Sequence, residues 1–326
     1  MLKPGEMIGS YRLDKIIGSG SSASVYLARS IYNEQAVAIK LRPRTHGQYE
    51  AILASRFTES ARLHYQFCHP NIAWLHEVIE TDTYQAVVIE YLQGGTLSEL
   101  LKQRQILTID EVCRLGVHLA DGLEHMHDIQ VIHRDIKPDN ILFADTKDLS
   151  TVRIADFDVS KNPYHSPNLT EKGAHVGTLC YVAPEQFNQE KPRAIADIYS
   201  LAMVLFECIS GRLPYDSISM PSIFSHFLDQ KPFPKPSFFN AQVSPAFDWM
   251  IEQASMINPE QRIPSAANLA ILLLALSEST RKSYPRIRVL RLQTRVPWLQ
   301  HALAQAPKGV QNELYPAIKQ LGFEFI

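Results

Sequence analysis

Eight consecutive residues, His133-Arg134-Asp135-Ile136-Lys137-Pro138-Asp139-Asn140, bring two carboxylates, two cations and a carboxamide into one short stretch flanked by Val131-Ile132 and Ile141-Leu142-Phe143. A merely solvated loop seldom needs such apolar flanks. Sixteen residues after Asn140 comes Asp156-Phe157-Asp158, approached through Val152, Ile154 and Ala155. Oxygens of this kind are hard ligands that suit Mg²⁺, which keeps several waters and shares its remaining positions with phosphate. Earlier in the chain, Gly18-Ser-Gly20-Ser-Ser-Ala23-Ser-Val25 is a turn of small residues whose backbone N–H groups can approach phosphate oxygens. Val37-Ala38-Ile39-Lys40 ends an apolar strand on an ammonium, a point charge suited to phosphate. Alone, the glycine turn and the strand lysine are better read as an ordinary hairpin and an edge residue in water.

These stretches need a scaffold. From Tyr11 to about Ile89 short β-type runs dominate, among them Ser24 to Ala28, Ala36 to Leu41 and Gln85 to Ile89. One helical stretch interrupts them, from about Gln48 to Phe67, where Ile52, Leu53, Phe57, Ala61 and Leu63 fall at helix-like spacing. After Gln93-Gly94-Gly95 the pattern turns helical over Leu97 to Leu101, Val112 to His127, Ala196 to Ser210, Phe247 to Met256 and Ser265 to Leu276. The break near Gly94 reads as a hinge between two lobes.

Composition sets outer bounds. With 326 residues, 45% apolar, 20% charged and a formal charge of −2, the chain is ordinary globular material, and disorder, collagen and coiled coil are excluded as its main class. That balance argues against a dedicated nucleic-acid binder. The last 49 residues nevertheless carry eight Lys and Arg against three Glu, a net +5, which leaves −7 for the rest. Cys68, Cys113, Cys180 and Cys208 lie far apart without a C-x-x-C pair, which suits isolated thiols in a reducing compartment. No apolar signal core opens the chain, and the longest apolar run, Leu269 to Leu276, is far short of the roughly 20 residues that cross a bilayer. A cytoplasmic location and no transmembrane segment are therefore expected.

Glycine turn, strand lysine, H-R-D loop and D-F-position follow in one order, joined by Ala183-Pro184-Glu185, Asp197-Ile-Tyr-Ser200-Leu201 and Asn258-Pro-Glu-Gln-Arg262. Over about residues 11–276 the sequence resembles the eukaryotic-like Ser/Thr protein kinase family, Hanks type. The resemblance implies an α+β bilobal fold: a small β-rich N-lobe with one main helix (about 11–90), a hinge (90–95) and a larger, mainly helical C-lobe (96–276). Together 1–276 would form the kinase domain, with 277–326 a basic helical C-terminal extension. It implies transfer of the γ-phosphoryl group of Mg-ATP to protein Ser/Thr hydroxyls. Asp135 would orient the acceptor hydroxyl, Lys137 would neutralise the moving phosphoryl group, and Asn140 and Asp156 would hold Mg²⁺. Lys40 would grip the phosphates beneath Gly18 and Gly20. Val25, Ala38 and Leu142 would wall the adenine slot, with Ile89 behind it and Glu90 to Leu92 offering hinge hydrogen bonds. Glu185 would pair with Arg262, and Asp197 would support the catalytic loop.

The pattern is broken in three places. Ala23 stands for a third glycine, and Asp158 stands where the motif has a glycine. Counting back from His69-Pro70-Asn71-Ile72, the helix glutamate that should meet Lys40 falls on Ser60. Glu59 is then the expected partner, with Glu50 behind it. By resemblance, Asp156 to Glu185 is an activation segment carrying Tyr164, Ser166, Thr170 and Thr178, with Thr170 the first candidate phosphosite. The departures keep open a pseudokinase scaffold, and the acidic pair after the metal aspartate keeps open a small-molecule phosphotransferase. Docking onto the large lobe is the favoured role of the extension, and contact of its basic cluster with an acidic partner or a membrane surface is the alternative.

Overall fold

A computed structural model describes residues 2–20, 23–45, 50–156, 176–188, 193–215, 219–229, 232–284 and 296–323. The first lobe is a sheet with strand order β1-β2-β3-β4-β6-β5. Its strands are β1 (Met7–Ile8), β2 (Tyr11–Ser19), β3 (Ser24–Ser30), β4 (Ala36–Pro43), β5 (Leu75–Glu80) and β6 (Tyr84–Glu90). All neighbours run antiparallel. Alternation splits the sheet into two faces. Val37, Ile39 and Leu41 of β4 join Leu13, Tyr26, Ala28, Ala86 and Val88 in one buried apolar layer. Ala38, Lys40 and Arg42 project from the other side. Helix α1 (Glu50–His64) interrupts the strands, as the 3.6-residue spacing predicted.

Between the lobes the chain turns through Gly94-Gly95. A Cβ at Gly94 would stand 2.7 Å from the Phe143 carbonyl oxygen, and Gly95 has φ +79°, so both positions require glycine. There begins a small second sheet, β7 (Gly95–Thr96), β8 (Ile141–Phe143) and β9 (Val152–Ile154). Neither β8, which follows the H-R-D loop, nor β9, which leads to Asp156, is among the β-type runs read from the sequence.

The second lobe is helical. Helices α2 (Leu97–Arg104) and α3 (Ile109–Asp128) each open on a capping box, Thr96 with Glu99 and Thr108 with Glu111. A short α4 (Val176–Leu179) precedes α5 (Ile195–Ser210), which ends on Gly211 in the left-handed region at φ +73°. Then come α6 (Met220–Asp229), α7 (Pro245–Ala254), α8 (Ala266–Leu276) and α9 (Glu278–Ser283). Helix α8 is buried on nearly all sides against α3, which explains its unbroken apolar run. In the extension, α10 (Val296–Gln305) and α11 (Lys308–Gln320) bury Leu299, Leu303, Val310, Leu314 and Ile318 in the same core. Helix α11 lies on α7 and α8, and Ser244 Oγ donates to Glu313 at 2.6 Å. Arg286, Arg288, Arg291 and Arg295 fall outside the described residues.

Candidate active site

The catalytic-loop residues hang from one buried carboxylate. Asp197, near the start of α5, is fully buried and accepts from the backbone N–H groups of His133 (2.9 Å) and Arg134 (2.8 Å) and from His127 Nε2 (2.9 Å). Burial pushes its carboxyl up, but His127 and the Arg134 amide outweigh that and leave it below the ordinary carboxylate range. This support holds Arg134 at φ +66°, a conformation that costs a non-glycine residue about 1–3 kcal/mol. Asp156 lies in the same region at φ +63°. Burial also lowers the pKa of His133. A neutral ring donating through Nε2 to the Ala155 carbonyl (3.1 Å) and accepting the Asp135 N–H at Nδ1 (3.3 Å) satisfies both contacts.

Within that loop the expected residues converge. Lys137 Nζ lies 3.0 Å from the Asp135 carboxylate, and Asn140 Nδ2 donates to the Asp135 carbonyl (2.7 Å) and carboxylate (2.9 Å). Asn140 thus spends its amide hydrogens on Asp135 and keeps Oδ1 as an oxygen donor. The Ala155 N–H donates to the Asn140 carbonyl at 2.9 Å, which ties β9 and Asp156 to the loop. From the opposite lobe Lys40 Nζ forms an ion pair with Asp156.

Strand register aligns the phosphate side. Gly18 pairs with Val25, Val25 with Lys40, and Ala38 with Ile89, so Val25, Ala38 and Lys40 share one face. Leu92, Leu142, Ala73 and Ala155 form a small separate apolar cluster. Leu92 and Leu142 of this cluster, with Val25, Ala38 and Ile89, are residues that the resemblance places around adenine. The Glu90 carboxylate accepts the Trp74 N–H at 2.9 Å and faces Arg153.

The protein kinase domain family matches residues 11–285, which holds both lobes and every site residue named above. The chain belongs to the protein kinase family. Its relatives include serine/threonine-protein kinase PknH of Mycobacterium tuberculosis (strain ATCC 25618 / H37Rv), 32% identical over 267 residues, which cover 82% of this chain and 42% of the relative. Serine/threonine-protein kinases PknA of Corynebacterium glutamicum is 31% identical over 299 residues, covering 90% and 62%. Serine/threonine-protein kinase PrkC of Bacillus subtilis (strain 168) is 30% identical over 269 residues, covering 82% and 41%. The chain therefore spans about two fifths to three fifths of these relatives. The crystal structure of Rad53 1-466 in complex with AMP-PNP has the same fold, with a TM-score of 0.67 at 21% identity over 80% of this chain and 64% of that one. The resemblance to eukaryotic-like Ser/Thr kinases and the bilobal architecture read from the sequence both hold.

Two further contacts of the kinase domain are as the resemblance implies. Arg262, buried, binds Glu185 through two bonds of 2.7 and 3.0 Å, and Asp197 braces the loop. The helix glutamate is different. Glu59 is exposed, on the α1 face shared with Ser55 and Arg62, whereas Ala61 and His64 are buried. Among the described residues no contact joins Glu59 to Lys40, whose ion pair is with Asp156. Glu50, the second candidate, binds Arg42 at 2.7 Å. The Ser60 hydroxyl is buried without a hydrogen-bond partner among the described residues. Phe157, Asp158, Tyr164, Ser166 and Thr170 lie outside the described residues. Cys180 is buried, and burial raises its thiol to about 11, which opposes a thiolate role.

One feature of the site escapes a motif reading. A cavity of about 490 Å³ opens beside the catalytic loop, lined by Asp139, Tyr181, Glu207, Lys102 and Gln105 among others. Tyr181 Oη donates to Glu207 at 2.5 Å. Burial raises the Glu207 pKa, and the charge of Asp139 adds to it.

Proposed function

We propose that this chain is a protein-serine/threonine kinase that transfers the γ-phosphoryl group of Mg-ATP to a protein hydroxyl. The observation that carries the reading is the closed Asp135–Lys137–Asn140 cluster lying beneath the Lys40–Asp156 bridge. Asn140 Oδ1 and the Asp156 carboxylate would hold Mg²⁺, which supplies charge neutralisation on the triphosphate. Asp135, oriented by two bonds from Asn140, accepts the hydroxyl proton of the acceptor. Lys137, already at that carboxylate, is placed to meet the charge of the group in transfer. Lys40 orients the phosphates from above, and Gly18 and Gly20 leave room for backbone approach. Little covalent work falls to the protein, so rate comes from positioning and from donors fixed before reaction.

The open cavity beside Asp139, which Glu207 and Lys102 also line, supports a polypeptide acceptor that places a polar or cationic side chain near these groups. The three buried free thiols, Cys113, Cys180 and Cys208, fit a cytoplasmic setting. Among the described residues no helix is long and apolar enough to cross a membrane. Thr170 is the phosphosite proposed for the activation segment, and residues 277–326 are proposed as a docked extension. Incubation with labelled ATP, Mg²⁺ and a generic basic protein should yield phosphoserine and phosphothreonine. Phosphotyrosine alone, or label only on choline-like or aminoglycoside compounds, would overturn the assignment.

A further inference from the structure

Two cations on one strand do different work in the first lobe. Lys40 and Arg42 are two residues apart on β4 and share a face, Lys40 opposite Val87 and Arg42 opposite Gln85. Lys40 reaches out of the lobe to Asp156. Arg42 turns inward and is 6% exposed. Its guanidinium forks onto both oxygens of Glu50, at 2.7 and 3.0 Å, and onto Gln85 Oε1 at 2.6 and 3.2 Å. Gln85, 1% exposed, passes the network onward: its Nε2 donates to Thr58 Oγ1 (3.1 Å) and Glu80 Oε1 (3.2 Å). Thr58 in turn donates to Glu80 at 2.7 Å.

Glu50 is the first residue of α1 and Thr58 is two turns further on, so the network grips the helix at two points. Glu50 also accepts the Thr45 N–H and hydroxyl at 3.0 and 2.8 Å. A guanidinium with both forks engaged admits one arrangement, where an ammonium would admit many. At its other end α1 carries His64, whose ring nitrogen meets the Ala73 carbonyl at 2.6 Å and which feels the charge of Lys40. The helix thus runs from the Arg42 clasp to the site. Nothing of the kind joins α1 to Lys40: Glu59 is exposed and Ser60 contributes no bond among the described residues.

We propose that Arg42 is a positioning residue for phosphoryl transfer: clasped to Glu50 and Gln85, it locks α1 onto β4 and so fixes the strand face from which Lys40 meets Asp156. The positioning role rests on the kinase reading, whereas the lock stands on the fold alone. Amide hydrogen exchange over residues 50–64 tests the lock without any need for activity. Glu50→Gln and Arg42→Met should lower protection of α1 about tenfold or more, and Lys40→Met should leave it unchanged. If Lys40→Met releases the helix as far as Glu50→Gln does, the lock is overturned. Steady-state kinetics with ATP and a generic basic protein tests the positioning. Arg42→Met and Glu50→Gln should raise KM for ATP and lower kcat/KM about tenfold, with Arg42→Glu/Glu50→Arg recovering only the part of the loss that the ion pair carries. A loosened helix with KM and kcat unchanged overturns the positioning role. Glu50→Gln carries both measurements should Arg42→Met not fold. Wild type inert toward Mg-ATP overturns the kinase reading, and the positioning role with it, while the exchange pattern still decides the lock.

Discussion

Below the cleft, the charged groups that hold the catalytic loop are buried and given several partners; at the cleft edge of the first lobe Lys40 is partly exposed and given few, although Arg42 behind it is buried and bound to Glu50 and Gln85. Asp197 is fully buried with three donors, and Arg262 and Glu185 form a buried pair to which the Met256 and Ile195 carbonyls add bonds. The side chains of Lys40 and Asp156 are 27% and 31% exposed and meet across the lobes. Helix α1 leaves Ile52 and Leu53 exposed. Buried, fully satisfied polar networks hold one geometry because any departure strands a charge in low dielectric. The side that orients the acceptor is therefore prebuilt, and on the triphosphate side the contact of Lys40 with Asp156 across the lobes is left adjustable while the strand that carries Lys40 is held by Arg42.

The contrast can be broken in four places. Asp197→Ala should have the largest effect, because it strands two loop amides and His127 in the interior. Removing one member of such a buried set costs about 3–5 kcal/mol, so denaturant unfolding should show a fall of that order together with collapse of transfer. Lys40→Met should reduce kcat/KM on the order of 10²-fold with little change in thermal midpoint, since its ion pair is partly solvated. Equal loss of stability in the two variants would erase the distinction. Next in size is an acid effect at the junction. Burial holds the His64 imidazole down at about 4, against an ordinary value of 6.5, so the unfolded chain takes up a proton that the folded chain refuses. Stability should fall as pH drops from about 6.5 to about 4 and should be fully recovered above that window; His64→Gln should flatten the curve measured by urea titration. Smallest is Glu207→Gln, which should raise KM for basic peptide acceptors several-fold and leave KM for ATP unchanged.

Much of the site is legible in the sequence because its residues sit at fixed spacing on short loops. Lys137 and Asn140 need only the local turn to reach Asp135, and the helical run around Asp197 and the Asn258–Arg262 turn are read from motif order. Residues that depend on register or helix rotation are not legible in this way. Arg42 meets Gln85 because β4 and β6 pair in one register across 43 residues of chain. Glu59 turns outward because α1 buries the Ala61 and His64 face, a rotation that a low-contrast helical pattern leaves open. The Asp139–Glu207 cavity needs the end of α5 to approach the catalytic loop, which no local spacing encodes. Helix α6 is absent from the periodicity reading, and strands β8 and β9 are too short, at three residues each, for alternation to show.

The central claim is that Asp135 acts on the acceptor while Lys40, Asn140 and Asp156 hold the donor. Wild type and Asp135→Asn, incubated with labelled ATP, Mg²⁺ and a generic basic protein, test it most directly. The account predicts that Asp135→Asn retains a Mg²⁺-dependent thermal shift with ATP but loses transfer to Ser and Thr by about 10²–10⁴-fold. Equal labelling by the two proteins would contradict it.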